Sequence, residues 1–522
     1  MERRWDLVPY LRAFLMPDSN LFTRLDAAMQ KAGNSPAFVQ PDGFQLRYDQ
    51  LRSITGRFAN ALSALGVKPG DRVMVQAEKS ITGVCIYLAV LKIGAVYNPL
   101  NTAYTAAEVA YFIGDAEPAV LIVSRAAKPA LAALPAAKAI KAIETLEADG
   151  TGSIVDLAFK QSDARKTVER TPKDLAALLY TSGTTGRSKG AMITHENLVS
   201  NAETLSDYWG FSSTDVLLHA LPVFHVHGLF VALHTALLNG VTIRWHAKFD
   251  LDAVLQDLPN ATVMMGVPTF YTRLLGSPKF TRDQCRNLRL VIAGSAPLLP
   301  ETHFEFKART GLDIVERYGM TETGMITSNP YKDGARVAGT VGFALPGVAV
   351  RIANADGKSV SRGEPGVLEV RGPNVFSGYW RNPEKTKEEF RPDGYFISGD
   401  IATMALDGRV SIVGRAKDLI ISGGFNVYPK EIEDEINALP GVGEAAVIGL
   451  PHPDFGEGVA AVVTAAGNAQ PTEAAIVAAL AGRLAKFKLP KRVFVVTDLP
   501  RNAMGKVQKA ELRLKYQQTF KV

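Results

Sequence analysis

The sequence predicts an α/β protein: a large N-terminal domain of two parallel-type αβ subdomains plus a small β subdomain, then a smaller α+β C-terminal domain. Three observations carry this. Between about residues 46 and 293, apolar strand-like runs alternate with helix-length spacers, the pattern of parallel βαβ units. After about residue 339, short alternating runs are separated by turns such as Asp356-Gly357 and Asp407-Gly408. Beyond residue 416 the texture changes again, to apolar runs at 432–439, 445–449 and 459–465 in an α+β tail.

In order along the chain, residues 71–76 read as a strand, 81–93 as a core helix and 95–97 as the next strand. Strands follow at 119–123, 175–180, 216–219, 241–244, 262–265 and 288–292. The Ala- and Lys-rich stretch 126–148 reads as surface, helical after Pro135. The β subdomain takes 348–352, 366–371, 395–398 and 410–413. The domain boundary falls at 416–418, giving predicted domains 1–416 and 417–522. Residues 1–16 carry Arg3, Arg4 and Arg12, but Glu2 and Asp6 argue against a transit peptide; a helix packing on the body is expected.

Composition excludes whole classes. Hydrophobic residues are 47% and charged residues 21% of 522, ample for a large core and unlike a disordered or coiled-coil chain. The only cysteines, Cys85 and Cys285, have no C-x-x-C spacing, which excludes a disulfide framework and suits a cytoplasmic location. No run reaches the ~18 apolar residues of a membrane span. Net charge is +6, yet residues 483–522 hold eleven Lys or Arg against Asp498 and Glu511. Such an excess implies an anionic partner. Without zinc-finger or RNP spacing, a phosphorylated small molecule suits it better than nucleic acid, and a solvated basic face is the plain alternative.

The most informative stretch is Thr181-Ser182-Gly183-Thr184-Thr185-Gly186-Arg187-Ser188-Lys189-Gly190, which follows a strand. Five of its ten residues are hydroxylic and three are Gly. Glycines let backbone N–H groups converge on phosphate oxygens, and hydroxyls add donors. The spacing is neither a Walker A loop nor G-x-G-x-x-G. Further along stand Tyr318-Gly319-Met320-Thr321-Glu322, Tyr395 to Asp400, Gly414-Arg415-Ala416-Lys417-Asp418, and Pro500-Arg501-Asn502-Ala503-Met504-Gly505-Lys506.

These five motifs, in this order over more than 300 residues, resemble the adenylate-forming superfamily of acyl-CoA synthetases. The resemblance implies ATP, Mg²⁺ and coenzyme A as reactants and cofactors, and a C-terminal domain that swings about Lys417. It implies an ATP site of Thr181, Ser182, Gly183, Thr184, Thr185, Gly186, Lys189, Ser295, Tyr318, Gly319, Thr321, Asp400, Arg415 and Lys506. Two anions must react there, so cations and a metal are needed. Glu322 is the expected Mg²⁺ ligand, Asp400 the ribose carboxylate, and Lys506 the cation bridging ATP and acid. Thr181 and His225 complete the expected catalytic set. Gly423 and Gly424 fall in the segment expected to line the coenzyme A channel. Acetylation would remove the Lys506 charge, so a lysine acetyltransferase and deacetylase are expected regulatory partners.

The acid is addressed by two further stretches. His225 and His227 would share one face of a strand, which raises a metal site, but His219 and His234 complete no standard ligand spacing. Arg273 lies one to two turns into a helix opened by Pro268; a guanidinium there suits a second carboxylate, and a surface Arg is the alternative. The runs around His225, Arg273 and Ser295 resemble the malonyl-CoA synthetase branch. That resemblance implies malonate as the acid, held by Arg273, His225, Ser295 and Met320, with methylmalonate at most as a larger guest. Other short acids, and a carrier-protein adenylation module, are the alternative readings.

Overall fold

The computed structural model describes residues 18–181, 188–422, 425–481, 483–502 and 504–520. The segment 1–16, the loop residues Ser182, Gly183, Thr184, Thr185 and Gly186, and the pair Gly423 and Gly424 lie outside the described residues.

Two mixed sheets form the body. One orders Ala142–Thr145, Val120–Val123, Arg72–Gln76, Val96–Pro99, Leu175–Thr181 and Lys189–Thr194; all neighbours are parallel except the last pair, a hairpin. The other runs Phe343–Ala344, Gly324–Ser328, Val315–Met320, Leu290–Ala293, Val263–Gly266, Val216–His219, Thr242–Trp245, Pro36–Val39 and Gln45–Arg47. Its centre, from Val315–Met320 to Pro36–Val39, is parallel, as the helix-length spacers require.

Helix Ile81–Lys92 is apolar all round, so it is buried all round; every residue from Val84 to Lys92 is buried. Lys92 lies within this core with its ammonium 4.7 Å from the Phe22 ring centroid. One hydrophobic cluster joins both sheets through this helix. The expected β subdomain is an antiparallel sheet of Ala349–Ala353, Gly366–Arg371, Phe396–Met404 and Val410–Arg415.

The 3₁₀ turn Ala416–Asp418 leads from that sheet to a further one, built on Ile420–Ser422, Phe425–Val427, Val442–His452, Gly456–Ala465 and Arg492–Val496. This C-terminal part has its own clusters, one around Ile432, Val447 and Val463, the other around Ile448 and Leu499. Met504 is the exception: it is buried in the core of the N-terminal body.

Three expectations need correction. Residues 126–148 form only the short helix Lys128–Ala132 and the 3₁₀ turn Pro135–Ala139 before the edge strand Ala142–Thr145. Prolines at the starts of both turns leave too few residues for a long helix. His225 and His227 do not lie in a strand: His227 opens the π-helical segment His227–Ala232, so a two-residue spacing no longer places them on one face. The C-terminal basic excess is largely balanced at home. Six of its cations pair with acids outside the segment: Arg483–Glu435, Lys488–Glu431, Arg492–Glu473, Arg501–Glu444, Lys509–Glu433 and Arg513–Asp418.

Candidate active site

Thr181 is in register with Lys189 across the antiparallel strands Leu175–Thr181 and Lys189–Thr194. Thr181 Oγ1 donates to Glu322 Oε1 at 3.2 Å. Glu322 occupies the turn between Val315–Met320 and Gly324–Ser328. That turn needs glycine at 319, where a Cβ would come within 2.1 Å of the Gly324 carbonyl oxygen. Burial, followed by the field of Glu389, raises the Glu322 carboxyl above its ordinary value. No Lys or Arg among the described residues lies within ion-pair distance of it. A buried carboxylate beside Thr181, with no cation paired to it among the described residues, fits a divalent ion bound jointly with phosphates.

Asp400 and Arg415 face each other in adjacent strands. Arg415 Nε lies 2.9 Å from Asp400 Oδ1, and the Tyr318 hydroxyl donates to Oδ2. Burial and then Asp400 push the Tyr318 phenol well up, so it stays a donor. Asp400 is itself buried, and these two partners fix the orientation of its carboxylate. Thr321 and Met320 are half-buried on the same turn.

Lys506 reaches this point from the C-terminal domain. Asn502 Oδ1 accepts from the N–H groups of Met504 and Lys506 at 3.0 Å each, and Arg501 Nη1 donates to the Gly505 carbonyl at 2.8 Å. The loop so tied inserts Met504 into the N-terminal core. Gly505, at φ +73°, packs on Thr269; a Cβ there would stand 3.1 Å from Thr269 Oγ1. Burial, then Arg415, lowers the Lys506 ammonium to about 8, while Asp400 and Asp418 oppose the shift. Lys417 is exposed in the 3₁₀ turn, and Asp418 beside it pairs with Arg513 at 2.6 Å.

Beside His225, His227 and Ser295 lies a residue that sequence reasoning missed. Arg317 is 4% exposed, and its Nε and Nη2 find no acceptor among the described residues. Its guanidinium lies against Gly294, where a Cβ would sit 2.4 Å from Cζ. The next residue, Ser295, holds φ +72° and exchanges a hydrogen bond with His227 Nδ1 at 3.2 Å. A left-handed backbone at a serine stores strain of about 1–3 kcal/mol, which clusters at functional sites. Burial, then Arg317, lowers His225 to about 4 and His227 well below its ordinary value, so both imidazoles are neutral near pH 7. Burial also pulls Arg317 down from its ordinary value, yet it remains a cation at neutral pH. Arg273, by contrast, is exposed on helix Pro268–Leu275, one turn beyond Thr269. Arg317 stands between Glu316 and Tyr318 in the strand Val315–Met320, where nothing in the spacing singles it out.

The match to protein families follows this layout. Residues 25–380 match the model described as AMP-binding enzyme, and 431–506 match the AMP-binding enzyme C-terminal domain. The chain belongs to the AMP-binding enzyme family. Feruloyl-CoA synthase of Amycolatopsis sp is 36% identical to this AMP-binding enzyme over 92% of its chain and 95% of the relative. Malonate–CoA ligase of Arabidopsis thaliana is 33% identical over 96% and 90%. The crystal structure of ATP-bound MatB from Rhodopseudomonas palustris superposes with TM-score 0.94 at 54% identity, covering 97% of this chain and 100% of that one. The apo structure of the same protein gives 0.83 at the same identity and coverage. The AMP-binding enzyme described here, with Lys506 beside Asp400 and Arg415, is therefore arranged more like the ATP-bound form. Among the described residues, no helix is long and apolar enough to cross a membrane.

Proposed function

We propose that this AMP-binding enzyme is an ATP-dependent malonate–CoA ligase. A carboxylate oxygen of malonate bonds to the α-phosphorus of ATP as the bond to pyrophosphate breaks, giving malonyl-AMP. The thiol sulfur of coenzyme A then bonds to the acyl carbon, AMP departs, and the thiol proton passes to solvent. Likeness along the whole chain to MatB and to a malonate–CoA ligase supports the reaction class and the acid.

The single observation that carries the choice of acid is Arg317, buried, charged and without an acceptor among the described residues. Leaving a guanidinium unpaired in the interior is strongly unfavourable, so the site calls for an anionic guest beyond the reacting carboxylate. The distal carboxylate of malonate supplies it, with Ser295 and the neutral His225 and His227 as uncharged hydrogen-bonding neighbours. Arg273, on the helix that meets the Lys506 loop, is a second cation at the rim. An aryl acid such as ferulate would bury its ring against an unpaired charge.

The remaining roles follow the ordered motifs. Asp400 accepts from the ribose hydroxyls, and Tyr318 and Arg415 hold it in place. Lys506 meets the developing negative charge between acid and α-phosphate. Thr181, Ser182, Gly183, Thr184, Thr185, Gly186 and Lys189 take the outgoing phosphates. Mg²⁺ bound at Glu322 would neutralise phosphate charge and orient the leaving pyrophosphate. Rotation about Lys417 would then bring Gly423 and Gly424 to the site for the thiol step. A pyrophosphate-release screen over malonate, methylmalonate, succinate, acetate and benzoate tests the reading. Malonate should give the highest kcat/KM, with methylmalonate next; equal use of acetate or benzoate would sink it.

A further inference from the structure

Behind Glu322 lies a hydrogen-bond arrangement that the reaction scheme does not use. The Tyr379 hydroxyl is 2.7 Å from Glu389 Oε2 and 3.3 Å from Glu322 Oε1. Tyr379 is buried, and Glu389 ends the helix Pro383–Glu389. Lys385 lies 3.0 Å from Glu389 Oε1 and Lys189, from the phosphate hairpin, 3.9 Å from the same oxygen. Lys189 also stands 5.1 Å from the centroid of the Tyr379 ring.

A phenol carries one proton and can donate to one carboxylate only. The shorter contact gives that proton to Glu389. The Tyr379 oxygen then turns lone pairs toward Glu322, and Thr181 is left as the one side chain among the described residues that donates to it. A carboxylate capped by hydroxyl donors competes poorly for a cation, whereas one faced by another oxygen gains by binding it. Two cations, Lys385 and Lys189, also face the Glu389 carboxylate and favour its role as acceptor.

We propose that Glu389 is a positioning residue for the metal carboxylate: it takes the single proton of Tyr379 and so keeps Glu322 uncapped. The inference rests on the reading of Glu322 as the Mg²⁺ ligand. Without Glu389, the freed Tyr379 proton would turn to Glu322 and weaken metal binding by roughly three- to tenfold, the scale of one net hydrogen bond.

The test uses Mn²⁺ as the probe, its binding to full-length enzyme with α,β-methylene-ATP followed by electron paramagnetic resonance. Glu389→Met should weaken Mn²⁺ binding by that factor, and adding Tyr379→Phe in the same chain should restore most of it. If the double variant binds as weakly as the single one, loss of the Glu389 charge is the cause and the proposal is overturned. An unchanged affinity in Glu389→Met overturns it as well. Glu322→Gln is measured alongside: undiminished Mn²⁺ binding there refutes Glu322 as ligand, a failure distinct from the other two. Matching circular dichroism melts across the variants keep misfolding from imitating either result.

Discussion

Arg317 and Lys506 are cations set in environments unlike water, and each gives a measurable consequence. Arg317→Leu removes the partner of the distal carboxylate, a charge-assisted contact worth on the order of 2–4 kcal/mol, or roughly 30- to 1000-fold. The loss should fall on kcat/KM for malonate and leave the affinity for ATP nearly intact; an equal loss in both would mean that Arg317 only supports the fold. Arg273→Ala, at the exposed rim, should lose less malonate dependence than Arg317→Leu. For Lys506, a group lowered to about 8 is charged below that pH and neutral above it. The kcat/KM for ATP should therefore fall as pH rises through about 8, since that ratio reports the free enzyme. Lys506→Arg, which keeps its charge, should carry the descending limb to higher pH. A limb unmoved by that change would belong to another group. At this scale the sequence reveals Glu322, Asp400, Arg415 and Lys506, because each sits in a short ordered motif. Arg317 is hidden, since Glu316 and Tyr318 beside it read as ordinary strand and only the fold lays its guanidinium on Gly294.

At the level of elements, the site depends on the 502–506 loop meeting helix Pro268–Leu275. Gly505 is held at φ +73° with Thr269 against it, so a side chain at 505 brings both strain and a clash. The left-handed backbone alone costs about 1–2 kcal/mol for a substituted residue, and displacing Thr269 adds to it. Gly505→Val should slow malonyl-AMP formation at least about fivefold, yet spare the conversion of supplied malonyl-AMP and coenzyme A to malonyl-CoA. If both half-reactions slow alike in a folded protein, the loop does not serve adenylation alone. Most elements are readable from period and turns: the core helix Ile81–Lys92 by its unbroken apolar run, the small sheet by its Asp-Gly turns. The π-helical start at His227 is not, because a one-residue shift in hydrogen bonding leaves no mark on apolar spacing.

For the whole molecule, separate cores on either side of Ala416–Asp418 make a body and a smaller domain. Met504 crosses from the smaller domain into the core of the body, two residues before Lys506. The two-domain division shows in the sequence as a change of texture and charge. What charge alone misreads is the destination of the basic tail, because its acidic partners lie far back in the chain, 95 residues earlier for Arg513 and Asp418. In the proposed reaction a malonate oxygen becomes bonded to the α-phosphorus of ATP. Carboxyl-¹⁸O-labelled malonate, supplied with ATP, Mg²⁺ and coenzyme A, tests that bond most directly by mass spectrometry of the nucleotide product. One ¹⁸O in AMP, unlabelled pyrophosphate and stoichiometric malonyl-CoA is the predicted result; ADP with the label in inorganic phosphate, or no thioester from malonate, would contradict it.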